Sequence, residues 1–158
     1  MQKTKKVGFV VEELSASQLS FNMIKNTNRY IEDNDTDFVA FFENYTSVFV
    51  PMSFASMCVN EIWSFDGSLV ATSASTALSI SKTFAAESKF FYVWDLEWTR
   101  KKDHSFETMV QSFCIDDVKL IARSEDHAKA IKNYANRDVH GIAENFNTEQ
   151  LMEIINNV

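Results

Sequence analysis

Phe90-Phe91-Tyr92-Val93-Trp94-Asp95-Leu96-Glu97-Trp98 is the stretch from which the architecture can be read. Aromatic and β-branched residues follow one another without a polar break from Phe90 to Trp94, and Asp95 ends the run. A short apolar run that stops at a carboxylate predicts a strand buried on both faces and surfacing at its carboxyl end in an α/β sheet. Ligands of such sheets bind outside the carboxyl ends of the strands. Asp95, Glu97 and Trp98 are therefore candidates for a site. The alternative is architectural: the run is core, and Asp95 caps the segment that follows.

The same grammar extends in both directions. Val7-Gly8-Phe9-Val10-Val11 reads as a first buried strand, and Ser15 or Ser17 caps a helix with Leu19, Met23, Thr27, Tyr30 and Ile31 on one face. Asp33-Asn34-Asp35 is a turn and residues 38–42 a second strand; residues 48–50 suggest a short strand ahead of Pro51. Phe54, Met57, Cys58, Glu61, Ile62 and Phe65 keep helical spacing up to Asp66-Gly67, which breaks it. Residues 69–72 form a strand, and Ser73 or Ser75 caps a helix carrying Ala77, Leu78, Ser81 and Phe84. After the central strand comes a polar loop, and Ser105 opens a helix with Phe106, Met109, Val110 and Phe113 inward. Residues 120–123 are the next strand. Ser124 then starts a helix with Glu125 and Asp126 in its first turn, where the dipole favours acids, and Ala128, Ile131 and Ala135 on its buried face. Residues 139–143 make the last strand, and Asn147 with Gln150 a capping box for a helix bearing Leu151, Ile154 and Ile155. Strand and helix alternate throughout. The expectation is one α/β domain over residues 1–158: a three-layer α/β/α, mostly parallel, Rossmann-like sheet of about six strands with residues 90–94 at its centre.

Composition narrows the functions. The 158 residues suit one domain, and 14 Phe supply ample core material. A net charge of -7 argues against a nucleic-acid partner, and the short basic run Arg100-Lys101-Lys102 does not reverse it. No apolar run approaches a membrane span, and residues 7–11 after Lys3, Lys5 and Lys6 are too short for a secretory leader. A cytoplasmic location is expected, with Cys58 and Cys114 as buried thiols in a reducing compartment. Gly8, Gly67 and Gly141 stand alone, which leaves neither a dinucleotide fingerprint nor a P-loop. His104, His127 and His140 lack metal-ligand spacing, so neither a metal nor a cofactor is expected.

Three groups gather at the carboxyl ends of the expected strands. Glu12 and Glu13 follow the first. Thr72, Ser73, Ser75 and Thr76 follow a middle one and open a helix, as an anion site would. Asp95, Glu97 and Trp98 follow the central one. A phospho-receiver would also need an aspartate and a lysine at the ends of later strands, where Val50-Pro51 and Trp94-Asp95 stand instead.

The second half of the chain carries a resemblance. Leu120-Ile121-Ala122-Arg123-Ser124, then a helix, then Val139-His140-Gly141-Ile142-Ala143-Glu144-Asn145-Phe146-Asn147 and Leu151, resembles the end of the N-terminal, acceptor-side domain of GT-B glycosyltransferases. Phe91-Tyr92-Val93-Trp94-Asp95-Leu96 is similar to the preceding strand of that domain, which in many retaining members ends in His-Asp. Asp95 matches the aspartate, whereas Trp94 stands in the place of the histidine. Glu12-Glu13-Leu14-Ser15 replaces the glycine-rich loop after the first strand. The chain ends at Val158, where the donor domain of such an enzyme would begin. The resemblance implies a sugar or nucleotide-sugar as ligand. Asp95 or Glu13 would be the base, Trp98 a stacking platform, and Glu12, Ser73, Ser75, Glu97 and Ser124 polar contacts. Two functions are expected from it: a non-catalytic binding or assembly module, or the acceptor half of a two-chain glycosyltransferase. Either would work with a second chain or as a homo-oligomer, since a half-domain exposes the surface its partner covers.

Overall fold

The long apolar runs of the sequence pair into one sheet. A computed structural model describes residues 5–100 and 106–158. Lys3, Lys101, Lys102, His104 and the expected cap Ser105 lie outside the described residues. The strands are β1 (Lys5–Glu13), β2 (Thr36–Asn44), β3 (Ala55–Cys58), β4 (Ser68–Ala71), β5 (Ser88–Val93), β6 (Val118–Ala122) and β7 (Gly141–Ile142). They form one seven-stranded sheet in the order β3-β2-β1-β4-β5-β6-β7, and every neighbouring pair is parallel. The helices α1 (Gln18–Asp33), α2 (Ala74–Ser81), α3 (Phe106–Phe113), α4 (Glu125–Ala135) and α5 (Thr148–Asn156) cover both faces. The Rossmann-like α/β/α expectation therefore holds, with seven strands in place of about six.

Side-chain alternation divides the core in two. Phe9 of β1, Phe38 of β2 and Phe90 and Tyr92 of β5 face Met23 and Ile24 of α1 and Leu151 and Ile155 of α5. Val10, Phe41, Leu69, Phe91 and Val93 face Ala77 and Ile80 of α2, Phe113 of α3 and Ile131 of α4. Gly8 leaves room for side chains of the two neighbouring strands, β2 and β4. A Cβ there would lie 2.7 Å from the Phe41 ring and 2.8 Å from Leu69 Cδ2.

Several local expectations are corrected. β5 is interior and Phe90–Val93 is fully buried, but β4 holds the middle place; Trp94 lies just past the strand end. Residues 48–50 form no strand. The edge strand is β3, followed by a 3-10 turn, Val59–Ser64, where a helix was expected. Phe54 and Phe65 share a helical period but serve opposite faces: Phe54 packs edge-on against Phe38, 6.4 Å between centroids, and Phe65 against Phe41, 5.3 Å. Residues spread over both sides of a sheet edge mimic a helical stripe. Cys58 and Cys114 are exposed, not buried, one ending the edge strand and the other in the turn after α3. Phe84 falls beyond the end of α2, where Thr83 Oγ1 donates to the Ile80 carbonyl, and is exposed, as is Phe106 at the start of α3. Glu12 and Glu13 are the last residues of β1 and do not follow it.

The last strand, the 3-10 turn Glu144–Phe146 and α5 are fastened by one buried hydroxyl. Tyr92 Oη donates to the Ala143 carbonyl, 2.7 Å, and accepts from Phe146 N–H, 3.0 Å. Asn145 and Phe146 both have left-handed backbone, φ 49° and 57°. Non-glycine residues hold such angles only where their surroundings over-determine them. Here Phe146 is fully buried between Phe9 and Tyr92, centroids 5.1 and 4.9 Å away. Asn26 Nδ2 donates to the carbonyls of Asn145 and Phe146, 3.2 and 2.9 Å.

Tyr92→Phe should cost about 1–3 kcal/mol, since Phe146 N–H and the Ala143 carbonyl would lose a buried partner. Burial pushes the Tyr92 phenol up to about 12 from 10.0, the Phe146 N–H and the Arg123 charge acting the other way. The raised value means that the neutral phenol is favoured by folding. Its contribution is fully present below pH 10, the ordinary value, and is lost as pH rises through about 12. Urea melts of the wild type against Tyr92→Phe between pH 8 and 12, roughly, should show this wild-type-only loss; parallel curves for the two proteins would refute it.

Candidate functional site

The strand order reverses between β1 and β4, and a parallel sheet opens a crevice at the carboxyl edge at that point. A cavity of about 240 Å³ lies there, lined by Glu12, Glu13, Ser15, Ser17, Leu19, Thr72, Ser73, Trp94, Asp95 and Glu97. Of the residues expected at the site, Glu12, Glu13, Ser73, Asp95 and Glu97 thus meet around one space. Ser75, Trp98 and Ser124 do not line it.

The floor is the start of α2. Ser73 Oγ accepts from Thr76 N–H, 3.3 Å, while Thr76 Oγ1 accepts from the backbone N–H of Ser73, 3.0 Å, and of Thr72, 3.1 Å. Ala74 N–H donates to Glu97 Oε1, 2.8 Å. Glu97 is 5 % exposed and stands on the 3-10 turn Glu97–Thr99. The expected anion position is thus taken by a carboxylate of the protein itself. Helix N-termini favour negative charge, and the Ala74 N–H gains a charged acceptor that the helix itself does not supply. Thr72 Oγ1 donates to the Val10 carbonyl, 3.0 Å, and ties β4 to β1 beneath the cavity.

Of the three other acids, Glu13 and Asp95 differ in setting. Glu13 Oε1 accepts from Ser15 Oγ, 2.7 Å, at the rim. Asp95, half-buried, sits 3.6 Å from Nη1 of the exposed Arg100. With Glu12 and Glu97, four carboxylates line one small space. Such a wall accepts hydrogen bonds from hydroxyls or ammonium groups and repels phosphate.

The other expected residues have different partners. Trp98 stacks flat on Tyr134, centroids 4.2 Å apart and planes parallel, with its edge to Phe113 at 5.1 Å. That places it on the α3–α4 side of the sheet, half-buried, with one ring face covered. Ser75 donates to Glu43 at the end of β2, 3.2 Å. Ser124 caps α4, accepting from His127 N–H, 3.2 Å.

A second, larger cavity of about 730 Å³ shares Ser15 and Ser17 with the first. It is lined also by Phe21 and Ile24 of α1, Phe49 and Val50, Arg123 and Asn145. None of these stood out in the sequence as a site residue. Arg123 directly follows β6, as Trp94 directly follows β5, so the carboxyl-edge rule applied to every strand would have found it. Among the described residues no group of three or more His, Cys, Asp or Glu gathers as a metal site would, and no helix is long and apolar enough to cross a membrane. No family model, curated protein or solved structure matches the chain.

Glu97→Gln should destabilise the fold by about 1 kcal/mol through the weakened charge at the α2 N-terminus. Trp98→Ala should cost about 3 kcal/mol, the loss of a packed aromatic. Chemical denaturation measures both. A Trp98→Ala protein that melts like the wild type would show that the Tyr134 stack contributes nothing.

Proposed function

We propose that the chain is a glycosyltransferase-like, Rossmann-type binding module without catalysis of its own, taking a neutral hydroxyl-rich ligand such as a sugar in the crevice between β1, β4 and β5. The observation that carries this is Glu97 Oε1 on Ala74 N–H. A nucleotide-sugar would bring its diphosphate to a helix N-terminus, and here that position holds a carboxylate. The rest of the wall, Glu12, Glu13, Ser73 and Asp95, is rich in acceptors for hydroxyl groups.

The module reading includes assembly with a second chain or a second copy. Its support is the exposed apolar surface toward the β3 edge: Tyr45, Phe49, Met57 and Trp63 are exposed, and β3 has one unpaired side. The acceptor half of a two-chain glycosyltransferase is the second reading. Glu13 and Asp95, two carboxylates open to solvent at the rim of one cavity, favour it, because either could take the proton of an acceptor hydroxyl.

Calorimetric titration with neutral mono- and disaccharides tests the module. Saturable binding is expected. Asp95→Asn should weaken it about tenfold with little change in melting temperature, as loss of a charged acceptor does. A nucleotide-sugar that binds more tightly than any neutral sugar would overturn the assignment. Sedimentation that gives a strict monomer at high concentration would count against self-assembly, leaving only a second chain.

A further inference from the structure

We propose that the cavity beside Arg123 is an oxyanion site for a small organic acid, a carboxylate or phosphate monoester joined to an apolar ring. This does not rest on the sugar reading above: Ser15 and Ser17 line both spaces and Trp94 of the crevice carries Arg123, but the charge that would hold the ligand, Arg123, belongs to this one alone and has the opposite sign.

The guanidinium of Arg123 lies over the indole of Trp94, 4.0 Å from the ring centroid. Trp94 is 8 % exposed, so this platform is fixed by the core. Arg123 Nη2 donates to Asn145 Oδ1, 3.3 Å. Asn145 belongs to the turn whose two left-handed residues are held by Tyr92 Oη and Asn26 Nδ2. The strained backbone thus places an amide oxygen that orients the cation, and strain maintained by its surroundings is characteristic of binding sites.

The charge itself is uncompensated. In a chain with 22 acidic residues, Arg123 forms no ion pair with a carboxylate among the described residues. Trp94 covers a face of the guanidinium plane and Asn145 uses one of its donors. A guanidinium has five N–H groups, and those left over form the fork that carboxylates and phosphates accept in pairs. Arg123 lines a cavity of about 730 Å³, which is in the size range of small-molecule sites. Phe21 and Phe49 line the same cavity, 49 % and 73 % exposed, and offer the apolar surface for the body of the ligand.

Titration of the isotope-labelled full chain with phenyl phosphate, benzoate and benzyl alcohol, observed at the Trp94 indole N–H by NMR, tests the site. Both anions should shift that resonance saturably, and the neutral alcohol should not. The tighter of the two anions identifies the natural acid group. Arg123→Gln should weaken both by about tenfold or more. Arg123→Lys keeps the charge and loses the planar fork, and should fall between; if Arg123→Gln does not fold, this variant carries the comparison. The proposal is overturned if neither anion gives a saturable shift in the wild type, if benzyl alcohol binds as well as they do, or if the folded variants keep the wild-type affinity.

Discussion

A strand without a solvent-facing side needs a roof on both faces, and β5 is such a strand. Phe90, Phe91, Tyr92 and Val93 are all fully buried. The alternating directions of a strand send Phe90 and Tyr92 to the α1–α5 layer, and Phe91 and Val93 to the α2–α3–α4 layer. Neither layer can be omitted without exposing large aromatic surface to water, at about 25 cal/mol per Å². The parallel sheet meets the same need, since the crossovers through α1, α2, α3 and α4 each deliver a helix to one face or the other; only the link from β2 to its parallel neighbour β3 carries none. Tyr92 adds a constraint that the phenylalanines do not. Its hydroxyl, deep in the apolar layer, must find partners, and those it finds are the backbone of residues 143 and 146. The core strand thereby sets the course of the chain at the far end of the sheet.

Electrostatics at the carboxyl edge is organised by the protein's own acids. The first turn of α2 needs acceptors for its N–H groups, and the sequence supplies Ser73, Thr76 and Glu97. A carboxylate held there is a structural counter-charge, and it changes what the neighbouring crevice can receive. Phosphate would have to approach Glu97, Glu12, Glu13 and Asp95 together. A neutral hydroxyl group meets no such repulsion there. The same residue thus supplies an acceptor to the helix and negative charge to the crevice.

The sequence made the layers legible because the buried strands β1, β2, β5 and β6 are continuous apolar runs and their helices begin at Ser17, Ser73, Ser124 and Asn147, each capping as its residue type allows. It misled where periodicity had two causes. Phe54, Ile62 and Phe65 occupy helical intervals because the chain passes around a sheet edge and places rings on both faces. Trp98 read as a platform because aromatic rings near carboxylates suit sugars, but its stacking partner, Tyr134, lies on another helix and no pattern in the sequence joins them. Five of the expected site residues, Glu12, Glu13, Ser73, Asp95 and Glu97, do meet in one cavity, because the carboxyl-edge rule follows from parallel pairing alone. Arg123 and Asn145 meet through two left-handed residues, and backbone of that kind at Asn-Phe leaves no mark in a pattern of apolar positions.

Two cavities of opposite character therefore stand side by side, and Trp94 explains how they coexist. The indole lines the acidic crevice and also carries the guanidinium of Arg123. In water, an arginine near so many carboxylates would pair with one of them. Asp95, adjacent to Trp94 in the chain, pairs instead with Arg100, 3.6 Å away and exposed. Stacking on an aromatic face and a hydrogen bond to a neutral amide hold Arg123 without discharging it, which a carboxylate partner would do. An indole neither titrates nor carries a charge, so it holds the guanidinium by its face and leaves the cation without a carboxylate partner among the described residues.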